Sequence, residues 1–462
     1  MGYCRSAKST YDEWADIAGD PGLRWESLYE DFKATTRYEP GTSPIYPAGY
    51  INESAYGDGP LIVSQQQAFD GFDPTWHEVL VDGLGVESRD LNAGYGIGAA
   101  YITAAIRPSN RTRDYALEAY GWQMAGRKNA EILHGAWATK VIFAGNRARS
   151  VEYFKQDDNR TYTASAREII VSAGTIGSPK LLMLSGVGPA SHLSELGISV
   201  VADIADIGLN LRDHHLSAME FEVDSSVSTV FQWASNTTRF ADVTAEYEQN
   251  ATGPLANIAG GSFAIARVPD KVLEAANDTF HLATPKDRGH LFYNYATAPF
   301  VPASPNVSIV STYAALVQPK ASGSVRLNSS DYRDSPLIDS NYYGAEEDMT
   351  AILYGYKQLR TLAGSEKLSG IVQREVFPGQ DAQSDAELME AIKTSAQTLQ
   401  HPVGTVSLGT VLDSKYRVNG LDGIRVVDSS VIPYPPVCLL QANVYAIAHR
   451  VARIVLEEEQ GR

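Results

Sequence analysis

His401, within the segment Gln400 to Thr405 (QHPVGT), is the residue best suited to acid–base chemistry near neutral pH. The unperturbed pKa of histidine, about 6.5, lets the imidazole accept and release a proton in this range. The chain has nine histidines, and a histidine taken alone is more often structural than catalytic. On residue type alone His401 is therefore a candidate catalytic base, with a structural role as the alternative, and the segment around it has to decide between the two.

Other catalytic chemistries have little support in the sequence. It contains no CxxC pair, no HExxH and no GxSxG, so we expect neither a metal site nor a serine hydrolase. The two cysteines, Cys4 and Cys438, are too few for a disulfide framework. For Cys438 we expect a thiol packed among apolar side chains, and a reactive thiol is the alternative.

Composition limits the class of protein and its partners. With 462 residues, 44% of them apolar, the chain is long enough for a globular protein of two domains. The net charge of −17, without a run of lysine or arginine, argues against nucleic acid or an anionic membrane as a partner. No stretch approaches the roughly 18 consecutive apolar residues that predict a transmembrane helix.

Glycosylation acceptors of the form Asn-x-Ser/Thr are frequent, and eight were identified: Asn52, Asn110, Asn159, Asn236, Asn250, Asn277, Asn306 and Asn328. Chance would give roughly two or three, so the number favours a secreted protein or one that passes through the secretory pathway. A cytosolic protein rich in serine and threonine is the alternative. The first residues have no basic and apolar stretch of the kind found in a signal peptide.

Several elements can be predicted from periodicity and turn residues. Trp25, Leu28, Tyr29 and Phe32 recur at helical spacing and predict one face of a short helix. Alternation predicts a small sheet from strands at 136–143, 150–154 and 162–164. At 178–186 we expect a helix that begins at the N-cap Ser178 and closes at glycine 186. Further expectations are strands at 308–319 and 324–327 and helices at 348–362 and 443–459.

Two long motifs carry a resemblance to a known family. One is HPVGTVSLGTVLDSKYRVNGLDGIRVVDSSVIPYPP, which starts at His401, and the other is SAGTIGSPKLLMLSGVGP at 172–189, followed by GLNLRDH at 208–214. In content and order they resemble the glucose-methanol-choline (GMC) oxidoreductases, flavoenzymes that oxidise alcohols with FAD. The segment QANVYAIA at 441–448 resembles members from fungal secondary metabolism.

The resemblance implies a fold of α/β plus α+β class. We expect a Rossmann-like FAD-binding domain at 1–214, an antiparallel-sheet substrate-binding domain at 215–400, and a segment at 401–462 that returns to the FAD domain with the catalytic histidine. The first residues resemble the family segment that follows its glycine-rich signature, and no GxGxxG follows a leading strand. We therefore infer that the first βαβ unit of the FAD domain lies upstream of the first residue.

The resemblance also implies site residues, and it makes His401 the catalytic base. Asp428, Ser429 and Gln441 occupy family positions that contact FAD, and the backbone of Ala138 takes the place that holds the adenine end. Leu439 occupies the position where the family has a second polar residue, His or Asn. Leucine cannot hydrogen-bond to an alkoxide, and losing such a donor costs about 100- to 1000-fold in rate.

The sequence is compatible with three functions. The first is FAD-dependent oxidation of an aryl or natural-product alcohol, with oxygen or a quinone as electron acceptor. The second is a catalytically inactive fold remnant or secreted binding protein without FAD. The third is an altered flavin reaction, such as elimination or isomerisation, that needs no second polar residue.

Overall fold

The computed structural model describes residues 2–41, 46–67, 70–256, 258, 260–302 and 307–461. The strands of this part of the chain are β1 Gly2–Tyr3, β2 Thr36–Glu39, β3 Leu61–Gln65, β4 Gly98–Tyr101, β5 Thr103–Ala104, β6 Ala136–Ala144, β7 Arg147–Lys155, β8 Arg160–Ser165, β9 Ile169–Val171, β10 Val187–Gly188, β11 Ala202–Asp203, β12 His215–Val223, β13 Ser262–Ala266, β14 Leu291–Ala296, β15 Ile309–Leu316, β16 Ser324–Arg326, β17 Leu337–Asp339, β18 Val372–Phe377, β19 Gln397–Thr398 and β20 Ile424–Val426. The α-helices are α1 Lys8–Ala18, α2 Trp25–Thr35, α3 Asp73–Leu84, α4 Trp122–Met124, α5 Gly174–Leu184, α6 Ala190–Glu195, α7 Val230–Ala234, α8 Thr237–Asn250, α9 Asp270–Ala275, α10 Thr279–Ala283, α11 Glu346–Ala363, α12 Asp385–Thr394 and α13 Gln441–Gln460. None of the helices found in these ranges is long and apolar enough to cross a membrane.

The largest sheet has the strand order β18-β12-β15-β14-β13-β4, with β19 also paired to β12, and every neighbouring pair is antiparallel. Its two central strands, β14 and β15, are buried along their whole length. Side chains alternate between the two faces of a strand. Leu291, Tyr293 and Val310 therefore pack in one core with helices α3, α11 and α12. The intervening residues Phe292 and Tyr313 belong to a second, smaller core on the opposite face.

A third core joins the two ends of the chain. It contains helices α1 and α2, the parallel pair β9–β20 and the inner face of α13. Strands β6, β7 and β8 form the predicted three-stranded sheet beside it. Helix α3 and strand β4 come before residue 214 but pack with the large sheet, and the division of the chain at residues 214 and 400 stays a prediction.

The predicted helix at 178–186 was wrong in its start. Helix α5 begins at Gly174 and contains Pro179 in its interior. A proline there leaves the carbonyl four residues earlier without its helical donor. That carbonyl belongs to Thr175, and it accepts a hydrogen bond of 2.6 Å from the hydroxyl of Thr405 instead. Since the substitute donor lies 230 residues away in sequence, the local pattern could not reveal it.

The other predicted helices are confirmed to within a few residues. Trp25, Leu28 and Phe32 are buried in α2, with Tyr29 packed beside them. The helices predicted at 348–362 and 443–459 correspond to α11 and α13.

The expectation of a free thiol at Cys438 was wrong. Cys438 forms a disulfide with Cys4, with a Cα–Cα distance of 5.8 Å. Both residues are buried in the smaller core between the large sheet and the start of α13. A cysteine count excludes a framework of several bridges but not one bridge, and a separation of 434 residues leaves no local pattern.

Candidate active site

A cavity of about 770 Å³ lies between the large sheet and helix α13. From the sheet it is lined by Phe292, Asn294 and Tyr313. Asn294 and Tyr313 are cross-strand partners, so the alternation that buries their neighbours under α11 directs these side chains into the cavity. His401 and Leu439 line the same cavity.

The loop that carries His401 is held on both sides by the segment 212–214. The amide of Leu399 donates to the carbonyl of His214 at 2.8 Å. The backbones of Arg212 and Val403 exchange two hydrogen bonds, of 3.2 and 2.8 Å. Between these anchors, Gln400 has a φ of 62°, in the left-handed region that a non-glycine residue seldom adopts. Such backbone strain is concentrated at functional sites.

The carboxylate of Asp213 fixes this turn further. Oδ1 accepts a hydrogen bond of 3.0 Å from the amide of His401. Oδ2 accepts one from the hydroxyl of Tyr342 at 2.7 Å and another from the hydroxyl of Thr398. One buried carboxylate thus joins the histidine loop to the segment before β12.

The ring of His401 is half-buried and contacts a second histidine. Its Nδ1 lies 3.0 Å from Nδ1 of His214, whose ring is perpendicular to it and fully buried. Burial lowers the pKa of His401 well below 6.5. Burial also lowers the pKa of His214, against the opposing effect of Asp213. Both rings are therefore neutral at pH 7.

Thr175 connects the two sequence motifs. Its hydroxyl donates to the carbonyl of Pro402 at 2.7 Å and shares a contact of 2.7 Å with the hydroxyl of Ser429. Its own carbonyl accepts from Thr405. Segments more than 200 residues apart in sequence thus meet directly behind the cavity.

Four of the six predicted site residues lie together. His401, Leu439, Ser429 and Gln441 all line the cavity. Leu439 is held by the neighbouring disulfide and by its carbonyl, which accepts from the side chain of Asn443 at 3.0 Å. A Cβ on Gly2 would come within 2.6 Å of the Leu439 side chain, so strand β1 packs directly against Leu439.

The other two predicted residues do not line the cavity. Asp428 is buried, and its carboxylate already accepts hydrogen bonds from within the protein. The donors are the amide of Gly174 at 2.9 Å and the hydroxyls of Ser178 and Ser430, each at 2.5 Å. It joins the start of α5 to the turn that carries Ser429. Ala138 is exposed on strand β6 and pairs with Tyr153, outside the cavity.

Sequence reasoning missed His214, Asn294 and the aromatic residues of the sheet. His214 ends the quoted segment GLNLRDH, so its proximity to a motif was the only available signal. Asn294 lies in the run LFYNYA, where it is the single amide side chain in an otherwise apolar and aromatic strand. Such a polar residue in a buried strand could have marked the cavity face.

The residues present fit the ring-bearing end of a flavin. A cavity of this size with mostly apolar walls and a few polar groups is typical of sites for small organic ligands. Leu440, Val444 and Tyr445 supply an apolar wall along the start of α13. The polar side chains of the lining are those of Arg113, Asn294, Gln400, His401, Ser429 and Gln441.

Comparisons with known proteins agree with this fold. Sequence models of the GMC oxidoreductases match residues 1–216 and 319–448. Patulin synthase of Aspergillus clavatus is 28% identical over 98% of this chain and 75% of its own length. A variant of formate oxidase from Aspergillus oryzae superposes with a TM-score of 0.89 at 25% identity, over 100% of this chain and 83% of that one. An FAD-dependent oxidoreductase from Chaetomium thermophilum gives the same TM-score at 24% identity, over 100% of this chain and 85% of that one.

The agreement covers both motifs and the architecture. The two sequence models include the segment with helix α5 and the segment with His401, Ser429 and Gln441. The chain belongs to the family of GMC oxidoreductases, which are FAD-dependent enzymes.

Proposed function

We propose that this protein oxidises an alcohol with His401 as the catalytic base. The observation that carries the proposal is a histidine, held by a strained and well-anchored loop, that lines a cavity suited to a flavin ring and a small substrate. FAD, when bound, supplies the hydride acceptor. Oxygen or a quinone is the proposed final electron acceptor.

His401 is suited to remove the hydroxyl proton of a bound alcohol. Because burial lowers its pKa well below 6.5, the ring is unprotonated and able to accept a proton at neutral pH. Its Nδ1 is occupied by His214, so Nε2 is the nitrogen left to face a substrate. Removing the proton raises the electron density on oxygen and so promotes hydride departure from the adjacent carbon.

The sheet side of the cavity supports an aryl or natural-product alcohol as substrate. Phe292 and Tyr313 are roughly parallel at 6.4 Å between ring centroids, and Phe300 packs on Tyr313 at 5.6 Å. Aromatic side chains of this kind offer flat apolar surface to a ring-bearing substrate. Asn294 adds an amide that can hydrogen-bond to a polar substituent.

Leu439 is the observation that favours a second candidate function. It faces the cavity where relatives are expected to carry a polar residue, and it offers nothing to stabilise an alkoxide. A binding protein that has lost catalysis would tolerate this residue.

The test is anaerobic mixing of the FAD-loaded protein with benzyl alcohol while the oxidised flavin absorbance is recorded. We expect the flavin to bleach, and we expect His401→Gln to bleach at least about 100-fold more slowly. The matched control, His134→Gln, changes an exposed histidine outside the cavity and should behave as the wild type. A protein that binds no flavin would support the binding-protein candidate, and a bound flavin that benzyl alcohol does not bleach would support an altered flavin reaction such as elimination or isomerisation.

We also propose that the protein is secreted and glycosylated. All seven acceptor asparagines in the described ranges are exposed: Asn52, Asn110, Asn159, Asn236, Asn250, Asn277 and Asn328. Asn306 lies outside those ranges. The Cys4–Cys438 disulfide is typical of proteins that fold in an oxidising compartment. Protein isolated from its native host should lose mass on treatment with an N-glycosidase, and an unchanged mass would count against secretion.

A further inference from the structure

His214 contacts His401 in a way that restricts where the protons of both rings can lie. The two Nδ1 atoms are 3.0 Å apart, a hydrogen-bond distance. On its other side, Nε2 of His214 lies 2.7 Å from the carbonyl oxygen of Pro436. A carbonyl oxygen can only accept, so Nε2 of His214 carries a proton.

The remaining protons follow from the neutral state of both rings. A neutral imidazole has one N–H, so His214, protonated on Nε2, presents a lone pair at Nδ1. The hydrogen in the contact between the two Nδ1 atoms must then belong to His401. His401, also neutral, consequently carries its lone pair on Nε2. Among the residues that the structure describes, none is hydrogen-bonded to Nε2 of His401.

We propose that His214 is a positioning residue that holds His401 in the Nδ1–H tautomer, so that the lone pair on Nε2 is available to the substrate. The inference rests on the proposed role of His401 as base. The opposite tautomer would direct an N–H at the alcohol, and His401 could not then accept its proton. Where the group that orients a catalytic histidine in a serine protease is changed so that the wrong tautomer forms, kcat falls about 10⁴-fold.

The pair also accommodates the proton that is removed. The O–H bond of the alcohol breaks, an Nε2–H bond forms, and His401 becomes positively charged. Its Nδ1–H points at the lone pair of His214, so the positive charge is stabilised by a strong, charge-assisted hydrogen bond. The buried carboxylate of Asp213, adjacent in sequence to His214, adds a favourable negative charge.

Two substitutions separate this role from simple anchoring. The Oδ1 atom of an asparagine can take the place of Nδ1, so His214→Asn keeps the acceptor for His401 and loses the bond to Pro436. The side-chain amide of a glutamine can reach the place of Nε2, so His214→Gln keeps the donor to Pro436 and loses the acceptor. If His214 fixes the tautomer of His401, the variant His214→Asn keeps its activity and the variant His214→Gln loses it. If His214 only anchors the chain, the order is reversed.

Nuclear magnetic resonance of the chain with ¹⁵N-labelled histidine gives a readout that needs neither flavin nor turnover. We expect the signals of His401 to show a protonated Nδ1 and an unprotonated Nε2 in the wild type and in His214→Asn, and a mixture of tautomers in His214→Gln. The inference is overturned if Nε2 of His401 is protonated in the wild type, or if Gln preserves the tautomer better than Asn.

The rate of flavin bleaching by benzyl alcohol is the second readout. We expect His214→Gln to lower the limiting rate on the order of 100-fold or more, with a smaller change in the half-saturating alcohol concentration, and His214→Asn to stay within about 10-fold of the wild type. Equal losses in both variants would overturn the inference. If the NMR signals show the expected tautomer of His401 but no alcohol reduces the flavin, the inference about His214 stands and the proposed function is wrong.

Discussion

His401 works in an environment that makes it a weaker base but keeps it ready to react. A base with a pKa well below 6.5 is less able to hold a proton than free histidine, yet it is fully unprotonated at neutral pH. The hydrogen bond to His214 compensates because it stabilises the charged ring once the proton has arrived.

The rate of alcohol oxidation should therefore depend on pH only in the acid range. The unprotonated form of His401 is the active one, and its pKa is lowered, so activity is fully present above about pH 6.5 and is lost only as pH falls through the lowered value. Flavin reduction by benzyl alcohol, measured from about pH 5 to about pH 9, should be constant above about pH 6.5. A rate that keeps rising between about pH 7 and pH 8 would contradict the lowered pKa.

Leu439 should limit the rate if an alcohol is oxidised in this cavity. The change Leu439→Asn introduces an N–H donor on the wall that Leu439 shares with His401. A donor directed at the developing alkoxide is worth about 2.7–4 kcal/mol, so flavin reduction should become about 100- to 1000-fold faster. Leu439→Met, which keeps an apolar side chain of similar volume, is the control. If Asn gives no acceleration, the reaction is of another kind, such as elimination or isomerisation.

What could be predicted at the residue scale depended on the motifs. His401, Ser429, Leu439 and Gln441 were found because each lies in or next to a motif that is continuous in sequence. The role of His214 could not be predicted because it arises from a contact with a residue 187 positions away in sequence.

The elements around the site are held by polar contacts between distant segments. The turn at Gln400 would be costly by itself, since a non-glycine residue in the left-handed region is strained by about 1–3 kcal/mol. Asp213 offsets this cost by accepting from three groups in and around the turn.

Removing this carboxylate should loosen the histidine loop. Asp213→Ala leaves the amide of His401 and the hydroxyls of Thr398 and Tyr342 without their acceptor. Hydrogen bonds to a charged group contribute about 1.5–3 kcal/mol each, so the free energy of unfolding should fall by at least about 1.5–3 kcal/mol in urea denaturation. Tyr342→Phe removes only one of the three donors and should lower the free energy of unfolding by less than Asp213→Ala does. Equal effects of the two changes would show that Asp213 does not hold the loop.

Element prediction succeeded where the pattern was local. Helix α2 follows from its apolar spacing, and strands β6 to β8 follow from alternation and their turns. The start of α5 could not be predicted, since Pro179 is tolerated inside the helix only because Thr405 replaces the missing donor.

At the scale of the whole molecule, two of the three cores border the cavity, and the third lies on the opposite face of the large sheet. The smaller core lies between the large sheet and the start of α13, and it contains both halves of the disulfide. The fold class could be inferred from the resemblance of two motifs. The disulfide could not, because the residues that bring Cys4 and Cys438 together are spread over the whole chain.

Loss of the disulfide should destabilise the protein and disturb the cavity. The double change Cys4→Ala and Cys438→Ala releases strand β1 from the segment before Leu439, and native disulfides typically contribute about 2–5 kcal/mol. The melting temperature should fall, and the rate of alcohol-dependent flavin bleaching should fall with it. Adding a reductant should lower the melting temperature of the wild type and leave that of the double variant unchanged. Equal melting temperatures of the oxidised wild type and the double variant would show that the bridge is not formed.

The same disulfide changes the connectivity of the polypeptide. Cys4 and Cys438 close a covalent ring that contains almost the whole chain, with a separation of 434 residues. A protease that cuts one exposed loop inside this ring opens it but releases no fragment. The nicked protein stays a single covalent molecule, and the strand and helix on either side of the cavity remain joined. For a protein that works among extracellular proteases, the bridge would keep the site assembled after the first cut.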